Sequence, residues 1–142
     1  MDLVLRSVEL AATFMLAGLI WTVQLVHYPA LAFADPKRWA ALHALHTRRI
    51  SWIVVPLMLA EATSATAVWL TAVPAEVIPR RAGMVLLGIA WVSTFALQVP
   101  IHERLAGAFD ARLVRRLIAT NWIRTAAWSG RAVLLLWSSM RA

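Results

Sequence analysis

Long apolar stretches separated by short polar segments dominate the chain. They run from about Leu3 to Tyr28, about Ile50 to Val73, about Ala82 to Ile101 and about Asn121 to Met140. Each is long enough to cross a bilayer as a helix, which takes roughly 20 mostly apolar residues. Between them, Asp35-Pro36 and Asp110 read as helix N-caps, and Pro74 with Pro79 brackets a short turn. Pro56 and Pro100 fall inside the second and third stretches and are expected to bend them. The pattern predicts an all-α fold, a four-helix transmembrane bundle forming a single domain.

Against this background a few polar residues recur at a constant offset of 75: His27 and His102, Asp35 and Asp110, His46 and Asn121, Arg49 and Arg124. Gln24 and His27 are likewise echoed by Gln98 and His102. The repeat divides the chain into two copies of one helical hairpin. Each copy carries an imidazole near the end of its first helix, and a polar residue plus an arginine on its second. Polar groups in membrane helices are costly, turn toward the bundle interior and commonly mark function.

Composition and charge sharpen the picture. Of 142 residues 61% are hydrophobic and the mean hydropathy is +0.70, too apolar for a water-soluble bundle of this size. The net charge of +7 comes from basic residues that flank the spans. Lys37, Arg38, Arg48, Arg49, Arg104, Arg112, Arg115 and Arg116 fall in the first and third loops, and Arg6, Arg80, Arg81 and Arg141 on the opposite side. The positive-inside rule then predicts cytoplasmic long loops and extracytoplasmic termini, in a multi-pass protein of a bacterial inner membrane. No reading motif accompanies the charge, so nucleic acid is not an expected partner. The absence of cysteine excludes disulfides, iron–sulfur clusters and thiolate ligands. Arg6, the first apolar run and Ala30-Leu31-Ala32 imitate a secretory signal. The run is long, however, Asp2 and Glu9 spoil its positive start, and Gln24 and His27 tie it to the repeat. It is expected to belong to the fold.

Two polar layers emerge when depth is counted from turns near residues 34 and 108, at about 1.5 Å per residue. Gln24, His27, His43, His46, Gln98, His102 and Asn121 share a layer near the cytoplasmic boundary, with Arg124 slightly deeper. His43 and His46 share one helix face, as do Gln98 and His102, and Asn121, Arg124, Trp128 and Arg131 form one stripe on the last helix. Imidazole is the commonest transition-metal ligand, so His27, His43, His46 and His102 could hold copper, iron or zinc, or an opposed pair could hold haem b. The same histidines could instead act as acids and bases without a metal, or simply hydrogen-bond across the bundle. In the catalytic version His27, His102 and Arg124 act on the substrate, while Gln24, Gln98, Asn121 and Trp128 bind the cofactor. Farther out, Glu9 lies 18 residues before His27 and Glu61 lies 18 after His43, about five helical turns in each case. Arg131 falls at comparable depth, which predicts a buried Glu9–Arg131–Glu61 ion cluster. The cluster either holds helix register or forms part of a proton or substrate path. Trp39, Trp69 and Trp137 read as interfacial anchors, Trp21, Trp52, Trp122 and Trp128 as neighbours of a pocket, and Ala60, Ser64 and Ala67 as a packing stripe.

The run Pro100-Ile101-His102-Glu103-Arg104-Leu105-Ala106-Gly107-Ala108-Phe109-Asp110, followed by Asn121-Trp122-Ile123-Arg124-Thr125, resembles the second half of the anthrone-oxygenase-like family of small four-helix membrane proteins. His27-Tyr28-Pro29-Ala30-Leu31 is similar, through fewer positions, to its first half. The resemblance covers most of the chain and implies a four-helix membrane fold and oxygenation of a polycyclic aromatic substrate. The chain departs from the family pattern in having His102 where asparagine is usual and in adding His43 and His46. Those departures favour a metal over cofactor-free chemistry.

The combined expectation is a bundle with a histidine-rich pocket open to the cytoplasmic side, acting as a membrane oxidoreductase or oxygenase on a small hydrophobic molecule. The alternative is a non-catalytic membrane subunit, or a haem-binding or assembly protein, whose polar layers give specificity. Expected partners are the lipid bilayer and that small molecule, with assembly into a homo-oligomer left open. A transporter ranks third, four helices being few for alternating access.

Overall fold

The four apolar stretches fold as helices, and each begins before the span expected for it. The computed structural model describes residues 2–71 and 76–140. α1 (Asp2–Thr22) passes through a π-helical turn, Val23–His27, into the short α2 (Tyr28–Leu31). α3 (Trp39–Leu70) returns across the bundle. α4 (Val77–Ser93) passes through a second π turn, Thr94–Gln98, into α5 (Val99–Leu105), and α6 (Ala111–Ser139) follows. No strand occurs among the described residues. The chain is an all-α bundle of four columns. The expectations placed on Val73, Pro74 and Arg141 fall outside the described residues.

Both π turns have one cause. A proline has no N–H to donate, and its ring crowds the carbonyl four residues back. For Pro29 and Pro100 those carbonyls belong to Leu25 and Ala96, each inside a π turn whose wider coil gives the ring room. α3 stays α-helical through Pro56. The prolines also set the register between the hairpins. Pro29 corresponds to Pro100, and His27, which ends the first π turn, corresponds to Gln98, which ends the second. His102 therefore stands about one helical turn beyond the counterpart of His27, and the 75-residue offset does not describe the first helices. On the second helices His46 and Asn121 are both buried, but Arg49 is exposed where Arg124 is buried.

The two aspartates expected as caps behave differently. Asp110 caps α6: its Oδ1 accepts from the backbone N–H of Arg112 at 2.7 Å and of Leu113 at 3.1 Å. Those bonds, Leu113's first, hold its carboxyl below the ordinary aspartate value. Asp35 does not cap α3. Its Oδ1 accepts from the Lys37 N–H at 2.9 Å and its carbonyl from the Arg38 N–H at 3.0 Å, which closes a separate turn. α3 starts only at Trp39, whose fully buried ring is pinned by donation from Nε1 to the Leu105 carbonyl at 2.7 Å. That burial also corrects the reading of Trp39 as an interfacial anchor.

Around the bundle the order is α3, α1, α6, α4. α1 packs against both α3 and α6, α6 packs on α4, and α3 and α4 touch sparingly. The core combines Leu16, Ile20, Val23, Leu105, Val114, Leu117 and Trp128. The outer surface is strongly apolar, with Trp52, Ile53, Val85, Val92, Phe95 and Val133 all exposed. Three columns, Leu3–Leu31, Trp39–Leu70 and Val77–Leu105, are long and apolar enough to cross a membrane. An apolar exterior around buried charges is the arrangement lipid demands of a helical protein. α6 is the fourth column and is more polar than the other three, which alone among the described residues are long and apolar enough to cross a membrane. It has 29 residues but carries Arg112, Arg115, Arg116, Arg124 and Arg131, and the last two lie inside the bundle.

Candidate functional site

Two polar centres occupy opposite ends of the bundle interior. At the end formed by α2, α5 and the start of α3, the imidazoles come together with Tyr28. The Tyr28 hydroxyl lies 3.1 Å from His102 Nε2, and His102 Nδ1 lies 3.1 Å from His43 Nε2. Both nitrogens of His102 are thus engaged, and the three side chains form one hydrogen-bonded line. His27 stacks on His46 with ring centroids 4.2 Å apart, and Nε2 of each is buried without a hydrogen-bond partner. His43 stacks on Trp39, with 5.4 Å between centroids.

A cavity of about 170 Å³ begins at this centre and runs along the seam between α3 and the α4–α5 column. Tyr28, His46, Gln98, His102, Arg124 and Trp128 supply its polar edge, and Leu16, Ile20, Val54, Met58 and Phe95 much of its apolar wall. Val55, Phe95 and Val99 line the cavity and are also exposed, so it opens onto the apolar outer surface of the bundle. The opening exists because α3 and α4 pack so little against each other.

The expected site residues divide on this geometry. His46, His102, Gln98, Arg124 and Trp128 line the cavity. His43 reaches it through His102, and His27 only through its stack on His46. Gln24 and Asn121 do not line it. Asn121 Nδ2 donates to Gln24 Oε1 at 2.8 Å, and Gln24 Nε2 donates to the Ile118 carbonyl at 3.2 Å, which ties α1's column to α6. Their expected contact with a cofactor gives way to a structural pair. Trp21 and Trp122 pack edge to face on the exterior, and Trp52 is 76% exposed, so neither group borders the pocket.

The metal reading of His27, His43, His46 and His102 finds no support in this arrangement. Among the described residues no three His, Cys, Asp or Glu side chains converge in a metal-binding arrangement. The nitrogens of His43 and His102 face each other rather than a shared point, and His27 and His46 present ring faces. Sequence reasoning singled out the histidines but missed Tyr28. Its signal was available, because it is the chain's one tyrosine and adjoins His27.

The second centre is ionic. Glu61 Oε1 accepts from Thr13 Oγ1 at 2.7 Å and from Arg131 Nε at 3.0 Å, and Glu61 Oε2 accepts from Trp128 Nε1 at 3.0 Å. Arg131 also donates to Glu9 Oε1 and to the Gly83 carbonyl, both at 2.7 Å. Arg131 thus joins Glu9 and Glu61, and all three are at most 5% exposed. The cluster continues outward, with Arg80 3.6 Å from Glu9, and Glu76 accepting from Arg80 at 3.1 Å and from Arg6 at 2.9 Å. The Arg6 hydrogen bond, with help from Arg80, holds the Glu76 carboxyl below its ordinary value. The Glu76–Arg80 spacing of four was the legible signal for this extension, while Arg6 had none.

Breaking a buried ion pair strands its partner charges. Arg131→Leu should therefore destabilise the protein by about 3–5 kcal/mol, read as a lower melting temperature in detergent. Adding Glu9→Gln and Glu61→Gln should recover much of the loss. A single variant melting with the parent would mean that Arg131 already faces water.

Compared with known protein families, curated proteins and solved structures, the chain matches none.

Proposed function

We propose that the chain is a membrane-embedded enzyme that takes a small hydrophobic molecule from the bilayer and exchanges a proton with it through Tyr28, His102 and His43. The observation carrying this reading is a three-membered hydrogen-bonded line that ends on an apolar cavity. With Tyr28 donating to His102 Nε2, the His102 proton sits on Nδ1 and points at His43 Nε2. Moving each proton one place makes Tyr28 a base toward the cavity and leaves the extra proton on His43. His43 can then release a proton from its other nitrogen. Such positioned acid–base groups accelerate proton transfer by typically 10²–10⁴-fold.

Size limits the substrate. An engineered apolar cavity of about 150 Å³ holds benzene, so about 170 Å³ suits one ring with a small substituent. A polycyclic substrate requires α3 and the α4–α5 column to part along their seam. The oxygenase reading implied by the family resemblance is the oxidative form of this proposal: the carbanion left by deprotonating a CH₂ group bonds dioxygen, the resulting peroxide anion takes back the relayed proton, and loss of the second C–H proton with O–O cleavage releases water and leaves a ketone. It calls for no metal at the histidines. The basic loops support an inner-membrane orientation with the histidine centre toward the cytoplasm and both termini outside.

Phenylacetone, a one-ring ketone with weakly acidic C–H bonds, tests the chemistry. Purified protein in D₂O should load deuterium into it above the detergent background, as read by mass spectrometry. His102→Ala and Tyr28→Phe should lower that rate by about 10²-fold, and His43→Ala by less. Exchange at background rates, or unchanged by His102→Ala, contradicts the proposal. Orientation is tested by Gly107→Cys, a site where a new side chain meets nothing within 4 Å. It should react with an impermeant thiol reagent only from the cytoplasmic side, and labelling from outside reverses the topology.

A further inference from the structure

Arg124 is the anomaly of the bundle interior. It is 6% exposed and lines the cavity, yet among the described residues no carboxylate reaches it. Its contacts are the Asn121 Oδ1 at a long 3.4 Å, the face of Trp128 at 5.1 Å and the Tyr28 hydroxyl, and its Nε has no partner. Arg131, seven residues on and facing the same interior, has two carboxylates and a carbonyl. The titratable groups that share the cavity with Arg124 are Tyr28 on the first column, His46 on α3 and His102 on α5, none of them a carboxylic acid. A buried cation without a counter-charge is costly unless something supplies one.

Two further cavity-lining residues hold orphaned atoms. Thr120 Oγ1 gives its proton to the Arg116 carbonyl at 2.8 Å, so it accepts from Gln98 Nε2 at 2.9 Å. That fixes the Gln98 amide with Oε1 turned elsewhere, buried and unpaired, and His46 Nε2 is unpaired too. The cavity thus offers a charged donor, a neutral acceptor and an imidazole, set in apolar walls.

Resting on the cavity reading above, we propose that this site holds its ligand as an anion: the conjugate base of a lipid-soluble weak acid of the phenol or enol class, with Arg124 as its counter-charge. A carboxylic acid would be ionised in water and kept out of the apolar seam. A phenol or enol enters neutral and ionises at Arg124. In that step the ligand O–H bond breaks and its proton passes to Tyr28, the Tyr28 proton passes to His102 Nε2, and the His102 Nδ1 proton passes to His43. The oxygen left behind carries the negative charge beside the guanidinium.

The probes are 4-nitrophenol, whose absorption separates phenol from phenolate, and its non-ionisable methyl ether 4-nitroanisole. In detergent-purified protein, bound 4-nitrophenol should absorb as the phenolate at a pH where the compound in empty micelles is protonated. It should bind roughly 10- to 100-fold tighter than 4-nitroanisole, the range expected of a charge-assisted hydrogen bond. Arg124→Gln should abolish the shift and the preference while 4-nitroanisole still binds, which also shows that the variant is folded. Arg124→Lys should retain both in part. If 4-nitrophenol binds as the neutral phenol and 4-nitroanisole binds equally well, the anion proposal is overturned and the cavity stands. If neither probe binds, the cavity reading falls and takes this proposal with it.

Discussion

Where charge sits inside an apolar bundle is the constraint on which this structure depends. Glu9 and Glu61 on two different columns are buried with Arg131 on a third, and lipid offers none of them an alternative partner. Once α6 carries Arg131, α1 and α3 must meet it at one height, and Thr13 and Trp128 fill the remaining acceptor sites of Glu61. The cluster accounts for how α6, too polar to rank with the other three helices as a span, belongs in the bundle. Its arginines are enclosed by apolar columns, and the enclosure works only with both carboxylates in place.

The same helix brings a second arginine to the histidine centre, where no carboxylate among the described residues neutralises it. Arg131 and Arg124 therefore define two different uses of one residue type, one completed by the fold and one left for a ligand. The prolines contribute to the second. Pro29 and Pro100 force π turns whose residues Val23, Thr94, Phe95 and Gln98 line the cavity, and the sparse packing of α3 on α4 leaves the mouth of that cavity open on the apolar surface. π turns of this kind recur at functional sites because they spoil the regular helix surface that would otherwise pack closed.

Much of this was legible in the sequence, for reasons that also explain the failures. Apolar length fixed the helices, and the depths of Glu9, Glu61 and Arg131 could be counted because a helix rises uniformly. Counting gives depth but not direction. It put Gln24 and Asn121 at the correct level without revealing that they bond each other rather than the cavity. It placed four histidines in one layer but could not show that His102 pairs with His43 and Tyr28 while His27 and His46 stack on each other. The 75-residue repeat misled because it matched residue types, whereas the hairpin register follows from where a proline disrupts each first helix. Asp35 and Asp110 looked equivalent as caps, and only the burial of Trp39 explains why the first of them closes a separate turn.

The melting temperature of ligand-free Arg124→Met in detergent tests the central claim most directly, because it asks whether the folded chain itself neutralises Arg124. Removing an uncompensated buried charge should leave stability unchanged or raise it, since an apolar side chain of similar length relieves the burial cost. A substantial fall would contradict the account. It would mean that Arg124 has a counter-charge within the fold and that the cavity needs no anion.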